Sequence, residues 1–180
     1  VLGATPISFV SYAATHHIIL TVFSEEWVKL AQQEWPDLAH PVKLHIKIDS
    51  GMGRIGITSK EQLQQLYKAI EEAPQFVVDG VFTHFATADE ETTVHFDNQI
   101  NKFRNLLNSL QQKPKIVHIA NTATALIKHE ECQYDAVRYG ISMYGLAPSD
   151  YVKAILPFEL EEAFTLETEL VHVKQLQSGE

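Results

Sequence analysis

The sequence predicts an α/β fold built on a parallel sheet. Two observations carry that reading. Short runs rich in Ile and Val alternate with longer amphipathic runs, and short Ile- and Val-rich runs are what strands buried on both faces tend to show. At 180 residues the chain is also long enough to bury one sizeable core under such a sheet. Two closures satisfy the pattern: an open doubly wound sheet, or a closed (β/α)8 barrel of which this chain is an incomplete part.

Taken in order, Val1 to Gly3 reads as the tail of a strand. Further strands are expected at Ile18 to Phe23, Leu44 to Ile48, Val77 to Phe85, Ile116 to Ile119 and Ala136 to Tyr139. Helices fill the gaps. Ser24 caps a helix from Glu25 towards Trp35, with both acids in the first turn where the dipole favours them. Ser59 and Gln62 form a capping box for a helix that buries Leu63, Leu66, Tyr67 and Ile70. The longest helix is expected near Val94 to Gln112, where Phe96, Ile100, Phe103, Leu107 and Leu110 repeat at helical spacing and Pro114 is a stop signal.

After Pro157 the pattern changes. Leu166 to Val173 alternates apolar and polar, as a half-exposed antiparallel strand does. Residues 1–156 are therefore expected to form the (β/α) unit, and 157–180 to begin a second, β-rich domain. The chain starts without methionine inside a strand-like run, and it stops in the turn-like Gln177-Ser178-Gly179-Glu180, so it reads as a piece of a longer protein.

Composition excludes several classes. A net charge of −9 argues against a general nucleic-acid binder. No apolar run reaches the roughly 18 residues that span a bilayer, and no secretory signal is visible. The single cysteine, Cys132, rules out an intrachain disulfide and fits a reducing compartment.

The most informative stretch runs from Lys43 to Gly56. A buried strand enters a turn containing Gly51, Gly53 and Gly56, and that turn carries Arg54. A guanidinium keeps its charge at working pH and presents a planar fork of donors, which suits an anion. The same stretch matches G-x-G-x-x-G, but Thr58 and Ser59 start the helix later, so the glycines lie in a loop rather than in a dinucleotide-binding helix turn. An NAD-binding oxidoreductase therefore ranks last.

Two later strand ends carry related chemistry. His118 to Thr124 leads a strand into a helix, and Asn121 and Thr122 stand at the helix start, where free N–H groups suit a phosphate. Arg138 ends the next strand and is followed by Gly140. Thr83-His84-Phe85 closes the strand from Val77, and His84 can orient a neighbour or move a proton. In a parallel barrel all these ends face one mouth. Each has a plainer alternative. Arg54 and Arg138 can form ion pairs with Asp49 and Asp135, His84 can be a satisfied histidine at a sheet end, and Asn121 and Thr122 can be an N-cap alone. Lys47 lies mid-strand between Ile46 and Ile48, where a buried charge has to be paired. His16, His17, His45, His95, His129 and His172 show no metal-like spacing and read as surface or helix-end residues. No metal is expected.

Lys47-Ile48-Asp49-Ser50-Gly51-Met52-Gly53-Arg54-Ile55-Gly56 closely resembles the K-x-D-[ST]-G-M-x-R-x-G segment of bacterial alanine racemases. His84, the His118-x-x-Asn121-Thr122 segment and Arg138-x-Gly140-x-x-x-Tyr144-Gly145 match that family in order and spacing, and Leu2-Gly3-Ala4-Thr5-Pro6 looks like its L-G-x-x-P turn. The resemblance covers essentially the whole chain. It implies the closed barrel, with residues 1–156 as the C-terminal part of a barrel that binds pyridoxal 5'-phosphate (PLP). It further implies a cytoplasmic, head-to-tail homodimeric isomerase that interconverts L- and D-alanine for peptidoglycan synthesis, with no nucleic acid or membrane as partner.

By the same resemblance, Arg138 would bond the pyridine nitrogen of PLP, and His84 would buttress Arg138. Thr122, with backbone around Asn121, Gly140 and Ile141, would hold the phosphate. Arg54 would reach the phenolic oxygen of the cofactor and the substrate carboxylate, and Met52 would border the substrate. Lys47 resembles a lysine that is carbamylated in many members, which turns a buried cation into an anion that pairs with Arg54. The family's two catalytic bases, the lysine that carries the cofactor and a tyrosine of the partner subunit, would both fall outside residues 1–180, so no catalytic residue is expected here and the piece alone should not racemise alanine. The alternatives are a racemase for serine or another small amino acid, and a noncatalytic PLP- or phosphate-binding module.

Overall fold

The computed structural model of the chain describes residues 1–179, the side chains of His129 and Glu131 excepted. Four strands form one sheet: β1 (Leu20–Val22), β2 (Val42–Lys47), β3 (Phe76–Phe82) and β4 (Ile116–His118). All pairs are parallel, and the order is β1-β2-β3-β4. Every crossover thus steps one strand in the same direction. A doubly wound sheet reverses direction at a switch point, whereas a barrel wall does not. The open doubly wound alternative is overturned, and the sheet is a stretch of barrel wall.

Among the described residues six α-helices accompany it: α1 (Val10–Thr15), α2 (Glu25–Glu34), α3 (Lys60–Glu71), α4 (Val94–Asn108), α5 (Thr122–Ile127) and α6 (Asp150–Ile155). The core joins strand residues such as Leu20, Leu44, Ile46 and Val81 to Val28, Leu63, Leu66 and Phe103 on the helices. Ser24 Oγ accepts from Trp27 N–H at 3.2 Å, so the expected cap of α2 forms. Ser59 Oγ likewise accepts from Gln62 N–H at 3.3 Å. The return half of the capping box shifts by one residue, because Gln62 Oε1 accepts from Thr58 N–H at 3.0 Å.

Several expected elements are shorter or missing. The strand expected to reach Phe85 stops at Phe82, and Thr83, His84 and Phe85 leave the sheet for the rim. Ala136 to Tyr139 forms no strand and contributes one parallel bridge between Val137 and Ala120. Val1 to Gly3 is not a strand either, although the Val1 amine donates to Ile19 O at 2.8 Å and Thr21 Oγ1 to Val1 O at 2.7 Å. Helix α4 ends at Asn108, and Leu107 and Leu110 pack only at the margin of the core. Leu166 to Val173 forms no strand, and its apolar residues are exposed, Val171 at 95%. Among the described residues nothing pairs with that segment, and a lone strand has no stability of its own. A turn does form at Ser178-Gly179, while Glu180 lies outside the described residues.

Candidate functional site

The loop after β2 is organised by one carboxylate. Asp49 Oδ1 accepts from the N–H groups of Gly51, Met52 and Gly53 at 2.9, 2.8 and 3.1 Å, and Oδ2 accepts from Arg54 N–H at 3.1 Å. Burial alone would raise this carboxyl. The backbone donors outweigh burial and hold it below its ordinary value. The loop closes because Asp49 N–H donates to Ile57 O at 2.8 Å and Ile57 N–H to Lys47 O at 2.9 Å. Gly56 makes the closure possible: its φ is +140°, and a Cβ there would lie 2.4 Å from Asp49 N. The Arg54 side chain is left exposed.

Opposite this loop, Arg138 is held by its side chain. Nη1 donates to His118 Nδ1 at 2.7 Å and to His118 O at 2.9 Å; Nη2 donates to Thr83 O at 2.7 Å and Ile119 O at 3.2 Å. Among the described residues neither arginine pairs with a carboxylate, so both ion-pair alternatives fail. Asp135 instead accepts from Val117 N–H at 2.7 Å. The Phe82 ring forms a floor: it stacks on His118 with centroids 4.6 Å apart and lies 5.4 Å from both Arg138 Cζ and Lys47 Nζ.

The third loop opens α5. Asn121 Oδ1 accepts from Thr124 N–H at 3.0 Å and from its hydroxyl at 2.8 Å, and Asn121 Nδ2 donates to Phe85 O at 3.3 Å. The Asn121 side chain is thus spent on capping and on joining two rim loops. Thr122 differs: its Oγ1 accepts from Gly140 N–H at 2.8 Å, which leaves the hydroxyl proton to donate.

Burial is the first cause of several pKa shifts here. It pulls Lys47 down to about 8, with Arg138 and Arg54 adding to the effect and Asp49 opposing it. His84 is drawn down to about 4 and His118 to about 3, first by burial and then by Arg138. Burial alone takes Arg138 down to about 10. Both histidines are neutral at neutral pH, and the site is a cluster of cations around neutral imidazoles.

These loops meet in one cleft of about 460 Å³. Met52, His84, Asn121, Thr122, Arg138, Gly140 and Ile141 all line it. Seven of the residues singled out from sequence therefore converge. Arg54 and Lys47 do not line the cleft, although both charges depress His84. Lys47 is buried at the end of β2, with Nζ donating to Ile48 O at 3.1 Å. One expected role moves: among the described residues His84 makes no hydrogen bond to Arg138, and His118 is its partner. His45, expected as a surface or helix-end residue, is half-buried in β2 with Nδ1 2.9 Å from His118 Nε2. Its signal was available, because His45 lies between Lys43 and Lys47 on one face of β2, with Val42, Leu44 and Ile46 on the other. Of the other histidines expected at the surface, His16, His17, His95 and His172 are exposed, and the side chain of His129 lies outside the described residues. Among the described residues no helix is long and apolar enough to cross a membrane.

Residues 1–148 match the family profile described as "Alanine racemase, N-terminal domain". An alanine racemase from Geobacillus kaustophilus is 46% identical over 180 residues, which is all of this chain and 46% of that protein. The crystal structure of alanine racemase from Bacillus anthracis with bound L-Ala-P superposes with a TM-score of 0.84 at 45% identity, over 90% of this chain and 42% of that one. A histidine racemase from Leuconostoc mesenteroides superposes equally well, with a TM-score of 0.84 at 31% identity over 90% of this chain and 43% of that one. The chain spans about half the length of the curated relatives it matches.

Proposed function

The chain belongs to the alanine racemase N-terminal-domain family, and we propose that it supplies the cofactor-binding wall of a PLP-dependent enzyme that interconverts L- and D-alanine. The observation that carries this reading is the convergence of Met52, His84, Asn121, Thr122, Arg138, Gly140 and Ile141 on one cleft at the strand ends.

The donor set fits a phosphorylated pyridine. Thr122 has a hydroxyl proton to give, and Gly140 leaves the backbone open beside it: a Cβ at Gly140 would come within 3.4 Å of Thr122 Oγ1. These groups, with the backbone of Asn121 and Ile141, would take the phosphate. Arg138 stands rigid at the cleft wall and would face the ring nitrogen. PLP, when bound, supplies the electron sink that makes the α-proton of an amino acid removable. An always-cationic donor at its ring nitrogen discourages protonation there and so limits that sink. His84, neutral in the cleft, offers one acceptor and one donor without adding charge.

Arg54 projects from a fixed loop and would take the substrate carboxylate, with Met52 bordering the substrate. Lys47 is the structural support beneath it. Its lowered pKa raises the fraction of free amine, which can attack CO2, lose a proton and become a carbamate. That product would turn Lys47 itself into an anion, and the Arg138 and Arg54 charges that depress its amine would then stabilise it. The same reading makes the full-length enzyme a cytoplasmic homodimer that provides D-alanine for peptidoglycan, with residues 1–156 in the barrel and 157–180 leading into a β-rich domain.

The test is racemisation by the full-length protein of L-alanine, L-serine and L-histidine, with PLP binding followed by absorbance. Alanine should be the preferred substrate. The histidine racemase among the structural neighbours is the reason to include other amino acids. Preference for serine or histidine would reassign the substrate, and failure to bind PLP would overturn the reading.

A further inference from the structure

We propose that Asp79 and His45 are positioning residues for the Arg138 guanidinium, acting through the His118 ring. The proposal rests on the PLP reading above only for what Arg138 does.

Four side chains form a line across β2, β3 and β4. Arg138 Nη1 lies 2.7 Å from His118 Nδ1. His118 Nε2 lies 2.9 Å from His45 Nδ1. His45 Nε2 lies 3.5 Å from Asp79 Oδ2. The direction of every bond in this line is dictated by its ends. A guanidinium only donates, so His118 Nδ1 has to accept. A neutral imidazole carries one N–H, which then sits on Nε2 and donates to His45 Nδ1. His45 in turn carries its proton on Nε2, aimed at a group that only accepts, the Asp79 carboxylate. At 3.5 Å that last contact is an ion-pair distance and not a formed hydrogen bond: His45 Nε2 is a buried nitrogen with no hydrogen-bond partner among the described residues, and the Asp79 carboxylate is the acceptor it faces. Lys43 Nζ, 3.6 Å from the other Asp79 oxygen, holds the carboxylate from the solvent side.

The backbone is shaped to admit this line. Leu44 pairs with Val78, but His45 pairs with Gly80, so Asp79 is an extra residue bulged from β3. The residue opposite His45 is a glycine, and a Cβ at Gly80 would lie 2.7 Å from His45 Nε2 and 2.7 Å from Ile116 O. A bulge and a missing side chain occur together where the imidazole passes between strands. Burial is the first cause of the lowered pKa of both histidines and favours the uncharged rings that the one-way line requires, with Asp79 opposing it at His45.

The consequence is orientation rather than proton transfer. Without the Asp79 acceptor, His45 has no reason to keep its proton on Nε2. Once it flips, His118 can present an N–H to Arg138, two donors face each other, and the guanidinium loses its fixed pose.

The test uses the full-length protein with 15N-labelled histidine, free of cofactor, and reads the ring nitrogens by NMR. Both His45 and His118 should be in the neutral Nε2–H tautomer. A charged or Nδ1–H His118 in the unaltered protein overturns the proposal, and this readout needs no variant. Asp79→Leu should mix the tautomers, weaken PLP binding about tenfold and lower kcat with KM for alanine unchanged, the scale expected for one buried hydrogen-bond partner lost. Asp79→Asn, which keeps an acceptor oxygen, should restore most of the affinity. Gly80→Ala should reproduce the Asp79→Leu behaviour by displacing the His45 ring. Asp79→Leu with unchanged tautomers and PLP affinity overturns the proposal. Wrong tautomers in an enzyme that racemises alanine overturn the relay and leave the proposed function intact. The expected tautomers in a protein that ignores PLP leave the geometry of the relay standing and overturn the function it serves.

Discussion

Arg54 and Arg138 both stand in rim loops close to a glycine, yet their surroundings hold opposite parts of them. Around Arg54 the backbone is fastened. Four N–H groups close on Asp49, and the side chain is left in solvent. Around Arg138 the guanidinium itself is fastened, by three carbonyls and an imidazole. A charge that has to follow a ligand that comes and goes is best carried on a fixed loop with a free arm. A charge that stays against a resident group is best clamped at the head, because rotamer entropy is then lost on folding and not at each binding event.

The contrast is testable, beginning with the strongest restraint in the Arg54 loop. Gly56→Ala adds a Cβ against Asp49 N at a φ that L residues avoid. It should lower the unfolding free energy by about 3 kcal/mol or more in urea titration, as a clash with backbone and a strained φ together do. A loss below about 1 kcal/mol, the centre of ordinary substitutions, would mean that the loop is not closed as described. Asp49→Asn keeps one acceptor oxygen but turns an amino group towards N–H donors, and should cost about 2 kcal/mol. Equal stability would show that the carboxylate does not organise the turn.

Lys47 reports on both arginines through its titration. Folding lowers its pKa from 10.5 to about 8, so between those values the unfolded chain binds more protons than the folded one. Through this group stability therefore rises as pH goes from about 8 to 10.5, the reverse of a lysine that gains an anionic partner. Urea titrations of the wild type and Lys47→Met across that window would isolate it, and a slope that persists in Lys47→Met would remove Lys47 as its source. Arg138→Gln should lift the Lys47 pKa more than Arg54→Ala, because the clamped charge acts on it more strongly than the free one. The smallest effect belongs to Arg54→Ala. Stability should change by no more than about 0.5 kcal/mol, as for an exposed side chain, while KM for alanine rises in the full-length enzyme. A large loss of stability would erase the distinction between the two arginines.

The rim loops are legible in the sequence because their chemistry is local. Gly51, Gly53, Gly56 and Asp49 lie within eight positions of one another, and such a cluster specifies a tight turn on its own. The helix caps at Ser24 and Ser59 are legible for the same reason. The partner of Arg138 is not. His118 ends β4 and His84 lies two residues past the end of β3, and which of them meets the guanidinium depends on how Arg138 turns over Phe82. His45 and Asp79 escape notice because each looks ordinary in its own strand. Only the bulge that pairs His45 with Gly80 brings them together. The alternation of Leu166 to Val173 predicts a strand that does not form, because alternation specifies a face only when a neighbouring strand supplies the hydrogen bonds.

By itself the amino-acid order determined the parallel α/β alternation, the position of each rim loop and the set of charged and hydroxyl groups those loops carry. These follow from side-chain period, turn residues and caps, all of which act over a few positions of chain. Only the tertiary structure decided which imidazole grips Arg138, that Arg54 stays free, and that Asp79 can reach His45. Those outcomes depend on strand register, where a shift of one residue turns a side chain to the opposite face of the sheet, and register is set by packing across the whole sheet.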